Sequence, residues 1–136
     1  MDPFESNQNL PLLLSKSDYE IGSDLVNMYS EAIKCEPFPF AGSSNEYKNT
    51  IPPMAILTLS LRDLVSKLKL PSGTLHTGQE VEFINPANIN SILSCTTTLL
   101  QNTVRKSTRI LMIKLHVEDE NKTQIMTGKT TLFTPL

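Results

Sequence analysis

The sequence has no tryptophan, two cysteines and two histidines in 136 residues, and no charge of one sign prevails. Each shortage removes a class of function. Cys35 and Cys95 stand far apart and form no CxxC or Cys/His cluster, so neither a zinc site nor a disulfide framework is expected. No His/Cys/Asp/Glu spacing suggests any other metal, and no cofactor motif appears. Twelve basic residues against fourteen acidic ones leave a net charge of −2, without the basic stripe a nucleic-acid binder carries. The densest basic group, Arg105, Lys106 and Arg109, reads as a solvated turn. No apolar run approaches the ~18 residues that span a bilayer, and the start, MDPFESNQNLPLLLSKS, lacks the basic region of a signal peptide. The expectation is a reduced, soluble, cytoplasmic protein with no membrane or nucleic-acid partner.

What is present is globular. Apolar residues make up 39% of the chain and charged ones 19%, at a length suited to one domain. Residues 1–15, rich in Asn, Gln, Ser and Pro, read as a flexible arm, and residues 16–136 as the domain. Lys16 to Ile21 is a short strand. Ser23 is the expected N-cap of a helix of about ten residues carrying Leu25, Met28, Tyr29, Ala32 and Ile33 at helical spacing. Residues 34–50 are irregular, broken by Pro37, Pro39 and an Ala-Gly-Ser-Ser group. Ile51-Pro52-Pro53 opens the longest helix, with Leu57, Leu61, Leu64, Val65 and Leu68 as its apolar stripe. Its first half is apolar on nearly every face and needs other structure around it. Pro71-Ser72-Gly73 ends it.

Four strands follow: Leu75 to Ile84, with Val81 and Phe83 on one face; Ile92 to Gln101; Thr108 to Val117; and Thr123 to Phe133. Asn102 to Ser107 is the turn between the middle two. The order of elements predicts an α+β domain in which an antiparallel sheet curls around a long central helix.

Several segments in this order resemble the MaoC-like hydratase/dehydratase family, whose fold is the hotdog. They are Val26-Asn27-Met28-Tyr29-Ser30-Glu31-Ala32-Ile33, Ile51-Pro52-Pro53-Met54-Ala55, Leu75-His76-Thr77-Gly78-Gln79-Glu80-Val81-Glu82-Phe83 with Pro86, and Thr127-Gly128-Lys129-Thr130-Thr131-Leu132. Together they span nearly everything after residue 16. The resemblance implies hydration of 2-enoyl thioesters or dehydration of 3-hydroxyacyl thioesters. Members carry a catalytic loop similar to Gly-Asp-x-Asn-Pro-x-His. The corresponding stretch here, Cys35 to Ala41, puts Glu36 in place of the aspartate, Phe38 in place of the asparagine and Ala41 in place of the histidine. Alanine transfers no proton. Where relatives often begin the central helix with His-Gly, this chain has Pro52-Pro53, which offers no N–H to a thioester oxyanion. Asn90-Ser91 stands where many relatives have Gly-Asp.

The chain therefore resembles the non-catalytic, partner-type unit of that family. The implied role is a subunit that binds an acyl-CoA or acyl-carrier-protein thioester and pairs with a catalytic hotdog supplied by another polypeptide. A homodimeric acyl-CoA-binding or scaffolding protein is the alternative, and a thioesterase using Glu36 as lone base is a third. Tyr29, Phe38, Phe40, Met54, Leu57, His76 and Gln79 are the candidate acyl-binding residues. Ordinary core packing is the competing role for the apolar five, and a hydrogen-bonded structural histidine for His76. Glu36 and His76 are weak catalytic candidates, and His116 alternates outward with Lys114.

Overall fold

The computed structural model describes residues 9–34 and 49–136. The elements are β1 (Leu12–Glu20), α1 (Ser23–Ala32), α2 (Pro53–Leu68), β2 (Leu75–Phe83), β3 (Ile92–Arg105), β4 (Thr108–Glu118) and β5 (Gln124–Pro135). The strands form one antiparallel sheet in the order β1-β3-β4-β5-β2. This is the antiparallel sheet that the order of elements predicts, in the fold that the resemblance implies.

The centre of the sheet follows its alternation. Leu93, Cys95, Thr97 and Leu99 of β3 and Leu111, Ile113, Leu115 and Val117 of β4 are buried on the inner face. A strand with one face toward a helix buries every second residue, which is the period these segments carry. Inner positions of β5, including Thr130, Leu132 and Thr134, continue that face. α2 lies against it through Ala55, Ile56, Leu57, Ser60, Leu64 and Leu68, all buried in the same core.

The helix ends differ in detail from expectation. Gly22, not Ser23, is the N-cap of α1, and its carbonyl accepts from the Val26 amide at 3.1 Å. Its buried line is Val26 and Ser30, with Leu25 and Tyr29 half-buried, while Met28 and Ile33 are 65% and 51% exposed. In α2 the stripe is shifted: Val65 and Met54 are exposed and Ser60 is fully buried, so the first half is not wrapped on every side. α2 stops at Leu68 because Lys69 turns left-handed, φ 48°, before Pro71 is reached. The entrance of α2 is held by the 87–89 segment, through Ile51 N–H to the Ala87 carbonyl at 2.8 Å and Ile89 N–H to Asn49 at 2.7 Å.

Strand limits also move. β1 begins at Leu12, not Lys16: Leu12, Leu13 and Ser15 pair with β3, Leu12 opposite Leu99, and the register shifts at Leu14. β3 runs on to Arg105, and the turn shrinks to Lys106-Ser107, with Lys106 at φ 55°. Val81 and Phe83 do share the inner face, but both are exposed, because β2 is an edge strand without a buried residue.

Candidate functional site

His76 and Gln79 are three residues apart, a spacing that puts two side chains on opposite faces of a regular strand. Here the register shifts between His76 and Gly78: His76 lies opposite Leu132 and Gln79 opposite Thr130. The bulge at Thr77 therefore delivers both to the inner face. The side chains meet. His76 Nε2 lies 3.1 Å from Gln79 Oε1, and the Thr130 hydroxyl donates to the same oxygen at 2.8 Å. The amide end of Gln79 donates to the Glu80 carbonyl at 2.8 Å. Thr130 is buried, Gln79 half-buried and His76 exposed, so the trio runs from the core to the rim.

Beside it is a cavity of about 300 Å³ between α2 and the β5–β2 edge. Leu61, Leu64, Val65 and Leu132 give it apolar walls, and His76 and Thr130 are polar groups in its lining. An apolar slot with a few placed polar atoms is the ordinary form of a small-molecule site.

The other sequence candidates lie elsewhere. Tyr29 lines a separate groove of about 280 Å³ between α1 and α2, with Leu25, Met28, Ala55, Leu59 and Arg62. Leu57 is 3% exposed and belongs to the core, and Met54 is exposed at the first turn of α2. Neither lines the cavity beside His76. Glu36, Phe38, Phe40 and Ala41 fall outside the described residues. Thr130, which sequence reasoning missed, carried a signal only in its place within the Gly-Lys-Thr-Thr segment of the last strand.

Among the described residues, an imidazole meets a carboxylate at His116 and Glu118. His116 is on the outer face, 3.6 Å from Glu118. Lys122 first, and His116 after it, hold the Glu118 carboxyl below the usual range. No group of three His, Cys, Asp or Glu among the described residues could hold a metal ion. Pro52 caps α2 and Pro53 is its first residue, so neither contributes an N–H there. No helix among the described residues is long and apolar enough to cross a membrane.

Comparison with known proteins adds the fold. No family model matches the sequence, and no curated protein matches it. Solved structures do match. A MaoC-like dehydratase from Rhodospirillum rubrum superposes with a TM-score of 0.76 at 15% identity, over 97% of this chain and 96% of that one. An (R)-hydratase from A. caviae involved in PHA biosynthesis gives 0.72 at 11%, over 96% and 100%. The HadBC 3R-hydroxyacyl-ACP dehydratase complex from Mycobacterium tuberculosis gives 0.66 at 16%, over 86% and 90%. The resemblance carried by the sequence is thus borne out in the fold, which is the hotdog of MaoC-like hydratases and dehydratases.

Proposed function

On the hotdog frame shared with these hydratases and dehydratases, we propose that the chain is an acyl-thioester-binding, non-catalytic subunit of a heteromeric enoyl-CoA hydratase or 3-hydroxyacyl-thioester dehydratase. One observation carries this. The sequence has two histidines, His76 and His116, and neither lies between α1 and α2, where the resemblance puts the catalytic imidazole. Adding water across an enoyl thioester needs a group that takes a proton from water and one that returns a proton at the α-carbon. His116 faces outward beside Glu118, and His76 is tied to an amide, not a carboxylate.

What the chain retains suits holding. The cavity under α2 takes an aliphatic segment, and the His76–Gln79–Thr130 trio supplies polar contacts at its rim. A catalytic hotdog partner would supply the Asp/His loop, as part of cytoplasmic fatty-acid metabolism. The dehydratase complex among the structural neighbours supports a paired arrangement.

The test is turnover of crotonyl-CoA by the purified chain, alone and with a hotdog subunit that carries an intact Asp/His loop. Binding without turnover alone, and turnover with the partner, is the expected result. Robust hydration by the isolated chain overturns the proposal. A homodimeric acyl-CoA-binding protein is the second reading, favoured by the open β2 edge, which suits a second copy equally well. Native co-purification separates the two.

A further inference from the structure

The hydrogen bonds around Gln79 set the tautomer of the neutral His76 ring. Gln79 has one acceptor oxygen and one NH₂ group, and three contacts fix which is which. Its Nε2 lies 2.8 Å from the Glu80 carbonyl oxygen. Turning the amide over would set two carbonyl oxygens against each other at that distance, so the NH₂ group points to Glu80. Oε1 therefore faces Thr130 and His76 and accepts from both. An acceptor oxygen 3.1 Å from His76 Nε2 requires a hydrogen on that nitrogen. In the neutral ring Nδ1 is then the bare acceptor, and no described residue hydrogen-bonds it.

That assignment decides what a ligand in the cavity can offer. His76 is part of the lining, and its Nε2 is committed to Gln79. A thioester carbonyl and a carbon–carbon double bond donate nothing, so they make no hydrogen bond to Nδ1. A hydroxyl does. The surrounding walls, Leu61, Leu64, Val65 and Leu132, suit an aliphatic chain.

We propose that His76 is a hydroxyl-recognising group, whose Nδ1 accepts a hydrogen bond from a hydroxylated acyl chain held beneath α2. The chain then distinguishes the hydrated from the dehydrated or saturated form of its ligand, with Gln79 and Thr130 as the positioning residues that fix the tautomer. The proposal deepens the acyl-thioester reading and rests on it.

Two measurements test it. Two-bond proton–nitrogen correlation on the ¹⁵N-histidine-labelled full chain at neutral pH should show His76 protonated at Nε2 and bare at Nδ1. A ring protonated at Nδ1 alone overturns the assignment whatever the chain binds. Calorimetry with 3-hydroxybutyryl-CoA and butyryl-CoA should show the hydroxylated ligand about threefold to tenfold tighter, the gain expected of one neutral hydrogen bond. In His76→Phe that ratio should fall to about one. Equal affinities in the unaltered chain overturn the hydroxyl role and leave the acyl-thioester reading standing. No binding of either thioester overturns both.

Discussion

The Tyr19 hydroxyl donates to Ser60 Oγ at 2.8 Å and so ties the edge strand β1 to the central helix. The direction follows from Ser60, whose single hydrogen goes to the Ile56 carbonyl at 2.8 Å. Ser60 is fully buried, with Cys95 and the Ser15–Thr97 hydrogen bond in the same seam. Tyr19→Phe should remove the donor and leave Ser60 bonded to its own helix. The expected loss is about 1 kcal/mol, read as a lower urea midpoint with unchanged slope.

The same seam makes stability fall in alkali. Burial pushes the Tyr19 hydroxyl well above its ordinary value, and Cys95 is pushed up by burial too. Between the unfolded and folded values, the unfolded chain has lost protons that the folded chain keeps, so raising pH favours unfolding. The contribution is fully present below about pH 8.5, the free thiol's value, and is lost progressively above it, tyrosine joining near 10. Thermal midpoints from pH 7 to 11 should decline over that window, and less steeply in Tyr19→Phe.

Thr134 is a buried residue whose hydroxyl has no hydrogen-bond partner among the described residues. Desolvating a hydroxyl without a partner costs free energy that a methyl group of similar size avoids. Thr134→Val should therefore stabilise the fold by about 1 kcal/mol, a rise of a few degrees in melting temperature.

At Gly128, β5 leaves little room for a β-carbon beside β2. A β-carbon there would lie 3.0 Å from the Glu80 carbonyl oxygen and 3.3 Å from Gln79 Nε2. Gly128→Ala should push the edge strand outward by a few tenths of an ångström, at about 1 kcal/mol or more. Backbone amides of β2 should then exchange with deuterium faster, while those of β3 and β4 change little.

The central fold was legible because its signals are local. Leu93 to Leu99 and Leu111 to Val117 alternate at the strand period, and Leu57 to Leu68 repeat at the helical one. The site was legible only in part. His76 and Gln79 were named from a resemblance, but their union depends on a bulge set by pairing with β5, more than fifty residues away along the chain. The start of β1 was hidden for the same reason: Leu12-Leu13-Leu14 has no alternation, and its partner is Leu99. Tyr29 and Leu57 have the composition of a tunnel wall, yet one lines a different groove and the other fills the core.

The edge strand β2 leads to the prediction about assembly. It is hydrogen-bonded to β5 on one side and to no described strand on the other. Its inner face presents Val81 and Phe83, exposed at 37% and 39%, where β3 and β4 at the same depth bury aliphatic residues completely. A free edge with apolar side chains is a template for another strand, and leaving it open invites uncontrolled pairing. Association through β2 would give a particle of twice 15.2 kDa for the homodimer, or a pair with a catalytic hotdog subunit. Phe83→Lys places a charge on that surface without touching the α2 core. Light scattering should therefore show the assembly shifting toward the 15.2 kDa monomer with secondary structure retained. An unaltered assembly in that variant would place the contact elsewhere.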